Sequence, residues 1–233
     1  MLASAGEVVM GKAKGKASAR GGKQTKKDAN AAASTSGSGP GPSKVFFLRH
    51  GQSEANAQKI DVPDALLTDL GRVQAQAWHG DIGRFNCQLV IVSPLRRAIQ
   101  TALLAYASVD VHVEICRHAR EMWWDEKANT PSTEETIRAL LSNLPRGEAV
   151  CCLEQALDVS DAPATEHESI RALKQELASR SEDVVCVVCH WGVINAMCGE
   201  NADNGQVVEC RRTPNGQFIV ERHHDPPRAP RTK

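Results

Sequence analysis

The sequence carries no net charge: 28 lysines and arginines offset 28 aspartates and glutamates, with a pI near 7.1. No global field therefore draws the chain to nucleic acid or to a membrane surface. No apolar run approaches the roughly 18 residues that a membrane-spanning helix needs. The first ten residues lack the long apolar stretch of a secretory signal. The eight cysteines are accordingly expected to stay reduced, in a cytoplasmic setting. Cys151, Cys152, Cys186 and Cys189 sit in apolar runs, where cysteine serves as a small hydrophobe. No internal repeat is visible. Aromatic residues make up only 4% of the chain, and none interleaves with the basic residues of the first 43 positions. That stretch lacks the stacking platform of a single-strand nucleic-acid binder.

What is present divides unevenly. Residues 1–43 hold seven basic residues, Lys12 to Lys27, against Glu7 and Asp28, in a background of Ala, Gly and Ser. Such a segment cannot bury enough apolar area to offset ordering entropy and reads as a disordered tail. A solubilising tail, an organelle transit peptide and a nucleic-acid arm are the three readings; the second would move the protein to an organelle. Residues 44–222 read as one domain and 223–233 as a frayed tail.

Within the domain, two runs of β-formers each end on a histidine: Val45-Phe46-Phe47-Leu48-Arg49-His50 and Val184-Val185-Cys186-Val187-Val188-Cys189-His190. Both are too apolar for half-exposed strands and short enough for buried strands of a parallel sheet. If the strands are neighbours, both histidines emerge at the same sheet edge within one or two spacings of roughly 5 Å. Ligands of such sheets bind just beyond the carboxyl ends of the strands. Further strands are predicted at 89–92, 109–114, 207–210 and 218–221, the last two as edge strands of a hairpin. Helices are predicted after the cap Thr68 to near Gly83, from Ser93-Pro94 onward, at 133–144, at 165–180 and from Trp191. Strands alternating with helices give an α/β class, a three-layer α/β/α sandwich with a largely parallel sheet. Residues 145–164 show no clear period.

Cations cluster where strands end: Arg49-His50, Arg96-Arg97 and His190. Helix amino ends near Ser53, Ser93 and Trp191 are expected to add backbone donors. Such a pocket suits a compact dianion such as a phosphoryl group, and a histidine there can attack phosphorus. A general acid must still protonate the leaving oxygen.

Arg49-His50-Gly51-Gln52-Ser53-Glu54 followed by Asn56, Leu67-Thr68 with Gly71 and Gln74-Ala75, and Ser93-Pro94-Leu95-Arg96-Arg97-Ala98-Ile99-Gln100-Thr101-Ala102 together resemble the histidine phosphatase superfamily, the phosphoglycerate mutase-like enzymes. The resemblance spans roughly 44–222. It implies a phosphoglycerate mutase-like fold, His50 as nucleophile, phosphate contacts from Arg49, Asn56 and Arg97, and His190 completing the pocket. It also implies a proton donor after the third strand, where Arg120-Glu121 fits; Asp125 and Glu126 are the other carboxylates. Arg96 is expected to be a solvated or secondary charge. Trp191 departs from the glycine common after the late histidine, and Met122-Trp123-Trp124 replaces the longer stretch of the mutases. A small cap exposes the intermediate to water, which favours a phosphatase over a mutase. The expected substrate is a phosphorylated small molecule or phosphoprotein, with no cofactor and no metal; a weakly catalytic phosphoanion-binding protein is the rival reading. Cys186-Val187-Val188-Cys189-His190 has haem-attachment spacing, but on a strand these cysteines face opposite sides. His79, His112, His118 and His167 lie outside any motif and read as surface or packing residues.

Overall fold

The computed structural model describes residues 41–158, 160 and 163–227. The tail readings for 1–40 and 228–233 lie outside the described residues.

The chain begins with β1 (Lys44–Arg49), followed by α1 (Glu54–Gln58) and α2 (Asp69–Gln76). Next come β2 (Leu89–Val92), α3 (Arg96–Ala105) and β3 (His112–Ile115). Then follow α4 (Glu134–Leu141), β4 (Val150–Cys151), α5 (Leu153–Leu157) and α6 (Glu166–Ser179). β5 (Val184–Cys189), α7 (Trp191–Cys198), β6 (Val207–Arg212) and β7 (Phe218–His224) complete it. The seven strands form one sheet in the order β4-β3-β2-β5-β1-β6-β7. β4, β3, β2, β5 and β1 run parallel; β6 is antiparallel to β1, and β7 is antiparallel to β6.

Strand alternation builds two cores, one on each face. Phe46, Leu48, Val90, Val92, Cys186 and Val188 pack with Ile99, Leu103 and Ile137 from α3 and α4. Val45, Phe47, Ile91, Val187 and Cys189 pack on the other face with Leu173 of α6 and Val193 of α7. Cys186 and Cys189 thus lie on opposite faces, as the strand reading requires. The three-layer sandwich follows, because a sheet buried on both faces needs helices on both.

The boundaries differ in informative places. Ser93 does not cap α3. Leu95 occupies the cap position, and Asp64 Oδ1 from the preceding loop accepts from Arg96 N at 3.0 Å. The Ser93 hydroxyl lies 2.7 Å from His190 Nε2 and accepts from Leu95 N at 3.3 Å, so it joins the site to the turn that precedes the helix. α2 ends at Gln76; residues 77–81 form turns, and a 3-10 turn follows over Ile82–Phe85. β6 is interior, between β1 and β7; of the two hairpin strands, β7 alone lies at an edge. β7 also runs through His224, whose Nε2 meets Glu209 Oε2 at 2.8 Å. The structured chain therefore passes residue 222.

Candidate active site

β1 and β5 are parallel neighbours with Arg49 opposite Cys189, so His50 and His190 leave the sheet side by side. Their ring centroids stand 5.0 Å apart. The turn after β1 is held by close backbone approach. A Cβ on Gly51 would meet Gly71 O at 2.3 Å, and one on Gly71 would meet Gln52 O at 2.0 Å. Only glycine lets these two segments touch. Side chains of the two later motifs then lock the turn and its neighbour. Gly51 N donates to Thr101 Oγ1 (3.0 Å), Leu67 N to Gln100 Oε1 (2.8 Å) and Gln52 N to Gln74 Oε1 (2.8 Å).

His50 is 2% exposed. Its Nδ1 lies 2.7 Å from Gly51 O. A carbonyl only accepts, so Nδ1 carries the proton and Nε2 keeps its lone pair. Arg97 Nε donates toward that Nε2 at 3.3 Å. Burial first, then Arg97 and Arg49, push the imidazole well below its ordinary pKa and keep it neutral. His190 is fully buried and is likewise held neutral by burial and by Arg97. Among the described residues its Nδ1 has no partner, and neither has the buried Arg49 Nε. Such atoms cost free energy until a ligand oxygen meets them.

Arg97 is 4% exposed and fixed by Ala128 O (2.6 Å) and Asn129 Oδ1 (2.8 Å). Burial brings its pKa to about 10, so it remains charged at neutral pH. Arg49 is held through Nη1 to Ala202 O at 2.7 Å. Glu121 is 8% exposed. Its Oε1 accepts from Met122 N (2.9 Å) and Gly192 N (3.1 Å). Burial nevertheless outweighs these donors and the two arginines, and raises the carboxyl to about 7. A Cβ on Gly192 would lie 2.6 Å from Glu121 Oε1, so that glycine makes room for the acid.

Arg49, His50, Arg97 and Glu121 line one cavity of about 600 Å³, together with Asn56, Lys59, Trp123, Glu126, Asn129 and Trp191. A second groove of about 620 Å³, lined by Pro94, Arg117, Arg120 and Trp124 among others, holds none of the predicted site residues. Chemistry therefore selects the first.

The structure brings together Arg49, His50, Asn56, Arg97 and Glu121 around that cavity, with His190 beside His50. Asn56 is more constrained than expected: its Oδ1 accepts from Ser53 N (3.2 Å) in a capping box and from Asn204 Nδ2 (3.3 Å). The helix amino ends do not serve as anion donors in the expected way. Ser53 Oγ takes Asn56 N, Asp64 takes Arg96 N and Glu121 takes Gly192 N. Arg96 is not simply solvated: its Nε pairs with the buried Asp64 at 3.4 Å. Of the alternative acids, Glu126 reaches the cavity rim and accepts from Asn129 Nδ2 (3.1 Å). Asp125 lines a separate depression. Trp123 and Trp191 stack 5.8 Å apart beside Glu121, while Trp124 turns away onto Arg120. No pattern in the sequence marks Asn129 or Asp64, which sit in segments without period.

The family model of the histidine phosphatase superfamily (branch 1) matches residues 45–217. The chain belongs to the histidine phosphatase superfamily. No curated protein matches it. Histidine phosphatase folds recur among solved structures. An Escherichia coli protein assigned as an alpha-ribazole-5'-P phosphatase is 20% identical, with a TM-score of 0.56 over 79% of this chain and 98% of that one. A mycobacterial glucosyl-3-phosphoglycerate phosphatase is 22% identical, with a TM-score of 0.53 over 76% and 96%. A phosphoserine phosphatase from Entamoeba histolytica is 18% identical, with a TM-score of 0.51 over 78% and 96%. At these identities the likeness concerns the fold of the superfamily.

Proposed function

We propose that this protein is a metal-independent phosphomonoester hydrolase that works through a phosphohistidine at His50. One observation carries the reading: His50 is neutral, protonated on Nδ1, and offers the Nε2 lone pair beside Arg97 in a cavity that Arg49 also lines. In the first step Nε2 attacks phosphorus and the bond to the ester oxygen breaks. Glu121 passes its proton to that oxygen, and the substrate displaces the Arg97 contact on Nε2. Arg49, Arg97 and His190 hold the phosphoryl oxygens as charge shifts. In the second step water attacks phosphorus, its proton goes to the Glu121 carboxylate, and the N–P bond breaks to release phosphate and restore His50. A carboxyl near pKa 7 suits both roles at neutral pH.

Hydrolysis is favoured over transfer to a second substrate position because the segment after Glu121 is short. It runs from Met122 to a 3-10 turn at Lys127–Asn129, and Trp123 at its tip is 45% exposed. Water therefore has access to an intermediate on His50. Rapid quench of wild type with a ³²P-labelled phosphomonoester is expected to trap acid-labile, base-stable protein label that is absent from His50→Ala. Turnover without such label, or label that survives in His50→Ala, overturns the mechanism.

A further inference from the structure

Strand register assembles a second group of metal-type side chains far from the pocket. His112 and Glu114 are two apart on β3, and Cys151 pairs with Glu114 across the β3–β4 ladder. All three thus project from the same face. A strand would point the next side chain away, but Cys152 leaves β4 with φ +65°, and its Sγ lies 3.2 Å from Cys151 Sγ. His112 Nε2 stands 3.5 Å from Cys151 Sγ and 3.1 Å from Glu114 Oε1. One ligand atom from each of His112, Glu114 and Cys151 falls within 4.8 Å of the others. These cysteines are half-exposed and exposed rather than packed in a core, which corrects their reading as small hydrophobes, and His112 is more than a surface residue.

We propose that His112, Glu114 and Cys151, with Cys152 turned in from beside Cys151 as the fourth ligand, form a binding site for a divalent cation of the zinc class, separate from the phosphatase pocket. Tetrahedral coordination, with Zn–S of about 2.3 Å and Zn–N of about 2.0–2.1 Å, sets sulfur and nitrogen about 3.5 Å apart and two sulfurs about 3.8 Å apart. The sulfur–nitrogen distance is met as it stands, and the sulfurs need to separate by about half an ångström. Two thiolates, an imidazole and a carboxylate are a soft, zinc-type donor set. They would leave one negative charge around a divalent ion. Arg180 balances it: its Nη2 donates to Glu114 Oε2 at 2.5 Å and its Nη1 to Glu114 Oε1 at 3.3 Å, and it also pairs with Glu176. It would orient the carboxylate from outside the coordination sphere. Burial and Cys152 push the Cys151 thiol up to about 12, so a bound cation must displace that proton.

The site would tie β4, a two-residue edge strand, to β3 and close the loop between them. Its role is then structural. β3 is separated from the His50 strand by β2 and β5, so the ion takes no part in phosphoryl transfer.

The test uses the metal-free full chain under a phosphine reductant, titrated with cobalt(II). One equivalent is expected to produce thiolate-to-cobalt charge-transfer absorption and tetrahedral d–d bands, both displaced by zinc. Zinc is expected to raise the melting temperature of wild type. Cys151→Ser and Cys152→Ser should each weaken the charge-transfer band, and His112→Ala should weaken binding by more than the roughly 10–100-fold typical of losing an outer-sphere partner. All three variants should keep wild-type phosphomonoester turnover. The cobalt spectrum is read independently of turnover, so it stands or falls apart from the phosphatase assignment. Absence of the charge-transfer band, or a band of equal affinity in Cys151→Ser and His112→Ala, overturns the proposal. A Cys151–Cys152 disulfide that persists under the reductant overturns it as well.

Discussion

The floor and the mouth of the phosphatase cavity are built by different rules. At the floor, His50, His190, Arg97 and Glu121 are each under 10% exposed. The turn that carries His50 is cross-braced by Thr101, Gln74 and the Gly51–Gly71 contact. At the mouth, Trp123 and Ile60 are about half exposed, at 45% and 51%, and Lys59, Asp61 and Glu126 are exposed as well. Desolvated, fixed groups can be tuned to a reaction. Solvated ones can only sort what enters. The floor therefore sets the chemistry and the mouth meets the leaving group.

The largest expected effect tests the floor at its centre. His50→Ala is expected to lower phosphomonoester turnover by about 10⁴-fold or more, as loss of a covalent nucleophile does elsewhere. Steady-state assay against a generic phosphomonoester checks it, and near-normal turnover would dissolve the distinction between floor and mouth.

Next is the proton donor. Glu121→Gln should cost about 10²–10⁴ with an alkyl phosphate, whose alkoxide needs a proton, and far less with para-nitrophenyl phosphate. The acid form is the active one for leaving-group departure. With the carboxyl raised to about 7, the wild-type rate of ester cleavage should fall as pH rises through about 7, and this limb should flatten in Glu121→Gln. Equal losses on both substrates would point instead to a structural role and move attention to Glu126.

The brace beneath the floor comes third. Gly51→Ala would place a methyl 2.3 Å from Gly71 O. A backbone shift of that kind costs about 1–3 kcal/mol, or roughly 2–4 °C in Tm per kcal/mol for a chain of this size. A melting curve identical to wild type would show the turn to be freer than the contact implies.

The mouth should respond least. Trp123→Ala is expected to change kcat on a small phosphomonoester by no more than about threefold, while raising KM for substrates with bulky apolar leaving groups by roughly 10-fold, the scale of one lost apolar contact. A kcat collapse on the small ester would place Trp123 with the floor. Chelators should leave turnover unchanged well below the melting temperature, because the arginines and histidines supply the charge of the pocket. Activity lost in chelator and restored by magnesium or zinc would overturn that reading.

The floor was largely legible because its parts lie in two contiguous blocks and at a strand end. Arg49-His50-Gly51 and Arg96-Arg97 follow buried strands, and His190 ends a run of six buried or half-buried β-formers. Asn129 and Asp64 were not legible. Each holds an arginine from a loop whose residues follow no period, and their partners are 32 residues distant in sequence. Ser93 was misread for a related reason. Locally it is a good cap, but His190, 97 positions away, makes a competing claim on its hydroxyl. The β3–β4 cluster was hidden in the same way, since His112 and Cys151 meet only through strand register.

The sequence by itself determined the alternation of buried strands and amphipathic helices, the two histidines at strand ends and the arginines beside them, because periodicity and local spacing are properties of the chain. The tertiary structure alone decided which side chains those arginines grip, which proton His50 carries, how far Glu121 is raised, and that His112, Glu114 and Cys151 share one face with the Cys152 sulfur against that of Cys151. Each of these depends on burial and on contacts between residues remote in sequence, and neither desolvation nor strand register can be read from a linear string.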